Sequence, residues 1–168
     1  MQSRKTTRRQ RTRTVCYAAI IAALYTALTY VTSLFGLASG VIQLRLSEAL
    51  CILSVFTPAA IPGLTLGCLI SNLVTGCLPT DVLFGSLATL LGAWGGWLLR
   101  KKPYIAPLPT VISNTVIVPF VLAYAYRVDE GLPFLFLTVG IGELLSAYLL
   151  GMILYYPLKK NQGKLFEF

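Results

Sequence analysis

Gln43 to Gly63 reads QLRLSEALCILSVFTPAAIPG, and this stretch decides how the rest of the chain is read. Arg45 and Glu48 stand three residues apart, and an apolar run follows them to Pro58 and Pro62. On a helix that spacing puts both charges on one face within pairing distance. An apolar run long enough to cross a bilayer precedes them, and more apolar segments follow. Charges in such surroundings are costly unless they are partnered or line a wet cavity, which makes both residues functional candidates. The alternative is an interfacial pair whose side chains snorkel to the surface.

The totals agree with a membrane setting. The chain has 168 residues, of which 56% are hydrophobic and only 12% charged, too apolar for a soluble globular domain. Its net charge of +8 sits in clusters that flank apolar segments. That is the pattern of membrane topology signals rather than of a nucleic-acid surface. The four cysteines lie singly, with no CxxC, and there is no histidine, so no metal or haem site is expected. Cys16, Cys51, Cys68 and Cys77 read as small core residues. No signal peptide is evident, because the first apolar run is span-length and lacks a small-residue cleavage site.

In order, residues 1–14 form a basic cytoplasmic tail, 15–158 a six-helix transmembrane substrate-binding domain, and 159–168 a second cytoplasmic tail. The expected fold is therefore an all-α integral membrane protein with six spans. The first runs from Val15 to about Phe35, and Gly36–Gly40 is an outer turn. A short second span covers Gln43 to Phe56, the third ends near Gly76, and Asp81 opens the fourth. The fifth starts at Pro107 and Pro109, and the sixth runs from Pro133 to Tyr156. Twelve of the fourteen basic residues fall in the N-terminal tail, at 100–102 and at 159–164. Basic residues mark the cytoplasmic side, so both termini are expected there, in the cell membrane. Trp94 and Trp97, beside Arg100, fit an inner aromatic belt.

Within the spans, Ala19, Ala23 and Ala27 form a small-residue ladder that permits close helix approach. Spacing alone leaves open whether its partner is another helix of this chain or a second protein. Glu143 lies roughly 15 Å into the sixth span, near mid-bilayer, with Gly140 and Gly142 beside it. A carboxylate there costs about 2.5–3.5 kcal/mol, so it either marks a ligand pathway or is paired to fix packing. Asn114 sits at comparable depth in the fifth span. Arg45, Glu48, Asn72 and Asp81 lie nearer the outer surface, and with Glu143 would line a cup open to the outside. Asp81 or Thr80 also suits the role of helix N-cap. Tyr25, Tyr30, Phe84 and Tyr124 are candidates to stack on a planar ligand. No phosphate-binding loop, no Ser/His/Asp arrangement and no inverted repeat is present, which argues against a nucleotide hydrolase and against a complete secondary transporter.

The blocks VIQLRLSEALCIL, FTPAAIPGLTLGCLISNL, DVLFGSLATLLGA, APLPTVISNTVIVPFVLAY and VGIGELLSAYLLG are similar to the QueT family. With the basic tail and the first-helix alanines, the chain from about Val15 to Tyr156 resembles a substrate-capture (S) component of an energy-coupling factor (ECF) transporter. The resemblance implies uptake of a 7-deazaguanine precursor of queuosine, such as preQ0, preQ1 or queuine, with no cofactor and no turnover of the ligand. It also implies that Ala19, Ala23 and Ala27 dock a transmembrane coupling subunit and that two ATPase subunits supply the energy. The S component would topple in the membrane to release its cargo inward. A deazaguanine offers adjacent N–H donors to a carboxylate, for which Glu143 or Glu48 is suited, with Asn72 or Asn114 for the ring carbonyl. An aminomethyl cation on the ligand would pair with Asp81 or Glu48. Rival readings are an S component for another vitamin, a membrane-embedded enzyme and a structural membrane protein.

Overall fold

A computed structural model of the chain describes residues 2–36 and 44–165, with side chains from residue 10 onward. Most of the outer turn, the expected start of the second span at Gln43 and the last three residues of the C-terminal tail lie outside the described residues. Every regular element among the described residues is helical. Helix α1 (Gln2–Leu34) runs unbroken from the basic tail through the first apolar segment, since neither Gly nor Pro interrupts it. Just beyond its end Gly36, at a φ of 69°, closes the last turn, its N–H donating a hydrogen bond to the Ser33 carbonyl at 3.0 Å.

The next element is a 3₁₀ helix, Leu46–Val55, not the α-helix that the charge spacing presumes. Its tighter winding rises about 2.0 Å per residue against about 1.5 Å for an α-helix. A short segment thereby reaches further across the bundle. Ser47 through Ser54 are buried, so neighbouring helices shield it. Residues three apart eclipse one another in this winding, and Glu48, Cys51 and Ser54 make a polar edge. The Cys51 thiol donates to Glu48 Oε2 at 3.3 Å, and Ser54 donates to the Cys51 carbonyl at 2.8 Å.

Helices α2 (Ala60–Val74), α3 (Pro79–Leu98), α4 (Leu108–Tyr124) and α5 (Leu132–Glu143) follow, the last three with a proline in the first turn. Beyond Glu143 the helix widens into a π-helical stretch, Leu144–Leu150, and continues as α6 (Gly151–Lys160); a short α7 (Gln162–Leu165) closes it. The expectation that Thr80 or Asp81 caps the fourth span is not met. Leu78 precedes α3 in extended geometry with no side-chain cap bond, and Pro79 takes the first position. Asp81 instead lies inside the first turn, where the helix dipole still favours an anion.

Consecutive helices α1 to α5 pack as neighbours, and the 3₁₀ helix touches α1, α2, α3, α6 and the π-helical stretch. Small residues set the closest approaches. A Cβ on Gly67 would come within 2.7 Å of Tyr25 Cβ on α1, and one on Gly92 within 2.7 Å of Thr110 on α4. Ile21, Tyr25, Leu50, Leu53, Leu64 and Cys68 form the main core cluster, with Phe56 stacked on Tyr155 at 5.6 Å in a second. Polarity runs the other way from that of a water-soluble protein. Glu48, Asn72, Asp81, Asn114 and Glu143 are buried, while Leu83, Ile112, Leu137 and Ile153 are largely exposed. Gln10–Leu34 and Leu132–Lys160 are long and apolar enough to cross a membrane, and Leu46–Val55, Ala60–Val74 and Leu108–Tyr124 are apolar but shorter.

Candidate functional site

A cavity of about 460 Å³ lies where the 3₁₀ helix begins and where the α2–α3 and α4–α5 connections meet. This is the end of the bundle remote from the basic residues at 100–102 and 159–164. Its volume falls in the roughly 300–1,000 Å³ range of small-molecule sites. Arg45 enters it from the residue before the 3₁₀ helix, whose backbone N–H donates to Ser146 on the π-helical stretch at 3.2 Å. Asn72 reaches it from the last turns of α2 and Asp81 from the first turn of α3. Val118, Leu122, Leu135 and Val139 supply an apolar wall from α4 and α5.

Asp81 is the most constrained group there. It is 4% exposed; its Oδ2 accepts a hydrogen bond from Tyr126 at 3.1 Å, and its backbone carbonyl accepts from Asn72 Nδ2 at 3.4 Å. Oδ1 has no partner among the described residues. Arg45 and Asp81 attract one another electrostatically. Glu130 also lines the cavity, so its charged groups are one guanidinium and two carboxylates.

Three of the sequence-derived candidates are not on this wall. Glu48 is buried behind it, its carboxylate taken by the Tyr25 hydroxyl and the Cys51 thiol rather than by Arg45. The expected Arg45–Glu48 face does not form, because Arg45 is extended and precedes the 3₁₀ winding that begins at Leu46. Glu143 ends α5 at the start of the π-helical stretch, 7% exposed, with the Asn114 amide as its polar neighbour and Oε2 unpartnered among the described residues. These three form a separate polar group inside the bundle. The stacking candidates are also elsewhere: Tyr25 is in the core, Tyr30 is on the surface, and Phe84 and Tyr124 line an apolar groove between α3 and α4.

Residues 15–160 match the QueT transporter family. The chain belongs to that family. A queuosine precursor transporter, QueT, from Lactococcus lactis subsp. cremoris (strain MG1363) is 37% identical over 95 residues. That stretch is 56% of this chain and 56% of the relative, so the chain spans little more than half of the curated relative it matches. No solved structure matches the chain. Membership of a transporter family, together with apolar helices and an apolar exterior, makes this a membrane protein.

In this QueT-family chain the ladder Ala19, Ala23 and Ala27 is exposed, while Ala22, on the adjoining stripe of α1, is buried against Gly67. Cys51 and Cys68 are buried as expected of core cysteines, but Cys16 is exposed and Cys77 lines the cavity. Sequence reasoning passed over Tyr126, Glu130 and Phe134 on the cavity wall. Their signal was weak, since an aromatic or an acid at the end of a span reads as belt or solvated loop.

Proposed function

We propose that this chain is the substrate-capture component of an ECF-type importer and takes a 7-deazaguanine precursor of queuosine into the Arg45–Asn72–Asp81 cavity. The observation that carries the reading is a cavity of fitting volume at the end of the bundle opposite the basic clusters. Twelve of fourteen basic residues at the other end favour cytoplasmic termini and a six-span, multi-pass arrangement in the cell membrane, with the cavity facing outward. A hydrogen bond of 2.7 Å from Tyr17 to the Leu165 carbonyl places the two chain ends together, which supports the same topology.

Asp81 Oδ1 is a buried acceptor that needs a donor, and a deazaguanine brings adjacent N–H groups. Arg45 suits the ring carbonyl and Asn72 a second ring edge. One guanidinium against two carboxylates favours a ligand that itself carries a positive charge, so an aminomethyl-deazaguanine should bind more tightly than the nitrile. The ligand leaves unchanged, since the role is capture and not catalysis. The exposed alanine ladder would dock the transmembrane coupling subunit, and two ATPase subunits would supply energy.

Calorimetry on the purified protein with preQ0, preQ1, queuine and unrelated vitamins tests this, together with mass spectrometry of any co-purifying small molecule. Binding of a deazaguanine, with preQ1 ahead of preQ0, is expected. Tight binding of a different vitamin would keep the transport role and overturn the cargo, whereas turnover of any ligand would overturn the role itself.

A further inference from the structure

One hydroxyl joins the two connections that frame the cavity. Tyr126, just past the end of α4, donates to Asp81 Oδ2 at 3.1 Å and accepts the backbone N–H of Leu78 at 3.2 Å. It therefore ties the α4–α5 connection both to the α2–α3 turn and to the carboxylate in the first turn of α3. The backbone around it is built for that reach. The Val128 N–H bonds to the Leu122 carbonyl at 3.2 Å, the Tyr126 N–H to Val121 at 3.2 Å, and Arg127 takes a φ of 52°. The left-handed region that Arg127 occupies normally falls to glycine, which has no Cβ to clash. An arginine there is strained, and such strain persists where surrounding contacts over-determine the turn.

We infer that Tyr126 is a positioning residue for ligand capture, a crossbar that fixes Asp81 and bars the cavity mouth until cargo enters. The inference deepens the proposed function and rests on the cavity being the ligand site. With Oδ2 held by the phenol, the carboxylate has one orientation, and Oδ1 remains for the donor of the cargo. Burial pushes the Tyr126 phenol up to about 12, and the Asp81 carboxylate adds to the rise. The hydroxyl thus keeps its proton across the physiological range and acts as donor to Asp81 throughout. Cys77, half-buried on the cavity wall, is next to Leu78 and an electrostatic neighbour of the Tyr126 hydroxyl, so its reactivity reports on the crossbar.

The test uses the full chain in detergent and the variants Tyr126→Phe, Asp81→Ala and the double variant, with preQ1 as the probe. Phenylalanine keeps the ring, so the thermal midpoint should move little while preQ1 affinity falls about tenfold, as for loss of a hydrogen bond to a charged group. In the Asp81→Ala background the same change should alter affinity by less than about twofold, because the interaction is already gone. Separately, with no ligand present, the rate of Cys77 alkylation by a water-soluble maleimide should rise several-fold in Tyr126→Phe. The rate is read at the Cys77 peptide because Cys16 is exposed and reacts as well. Multiplying effects in the double variant, or an unchanged alkylation rate, would overturn the crossbar. If the parent protein binds no deazaguanine, the cargo assignment fails, and the alkylation arm alone decides Tyr126.

Discussion

Asp81 and Glu143 are both buried carboxylates with one oxygen left over, yet their surroundings differ. Asp81 borders the cavity and is steered by Tyr126, whereas Glu143 lies off its wall beside Asn114. Removing a charged partner from a buried hydrogen bond costs about 1.5–3 kcal/mol. Asp81→Asn should therefore weaken preQ1 binding roughly ten- to a hundredfold, at about 1.4 kcal/mol per tenfold. Glu143→Gln should leave binding within about threefold and hold or raise the thermal midpoint, since a neutral amide is easier to bury than a charge. Calorimetry and a melting series on the two variants separate the cases. Equal losses from both would mean that the ligand reaches past the wall to Glu143. Polar residues inside apolar runs were legible in the sequence as candidates, and depth along a helix was legible too. Which way each side chain faces was not. Glu143 stands where α5 passes into a π-helical stretch and Glu48 on a 3₁₀ helix, and neither the π nor the 3₁₀ winding keeps the 3.6-residue period from which faces are read.

Helix α1 carries two small-residue stripes that spacing cannot tell apart. Ala18 and Ala22 face α2, where Gly67 leaves no room for even a Cβ against Tyr25 and Ala22, while Ala19, Ala23 and Ala27 are exposed. The two stripes should respond oppositely to bulk. Gly67→Leu forces the helices apart and should cost about 1–3 kcal/mol, seen as a lower melting temperature with weakened binding. Ala23→Leu should leave melting and ligand binding of the isolated protein unchanged while abolishing uptake in cells. Loss of melting temperature in Ala23→Leu would place that stripe in the protein's own core. That the chain is helical, and roughly where α1, α3, α4 and α5 begin or end, was readable because prolines sit at the starts of α3, α4 and α5 and Gly36 closes α1. The second span resisted reading for a physical reason. The three-residue spacing of Glu48 and Cys51 fits neighbouring positions on an α-helix as well as the eclipsed edge of a 3₁₀ helix. The expected cap at Asp81 went astray because Pro79 claimed the first helical position.

The distribution of charge over the whole bundle gives the topology its sharpest test. Lysine and arginine cluster at the chain ends and at 100–102, while Arg127, Asp129 and Glu130 occupy the α4–α5 connection at the cavity end. Short loops rich in basic residues stay on the cytoplasmic side. Arg45 and Arg127 are the two basic residues outside these clusters, and Arg45 turns into the cavity, where Asp81 attracts it. Single cysteines introduced at Lys102 and at Asp129, in a background with the four native cysteines replaced, should therefore label from opposite sides of intact cells. A membrane-impermeant maleimide should modify the Asp129 site and spare the Lys102 site until the cells are opened. Modification of Lys102 from outside would invert the bundle and turn the cavity toward the cytoplasm. Capture from the medium would then be impossible for a cavity at that end, whatever ligand it holds.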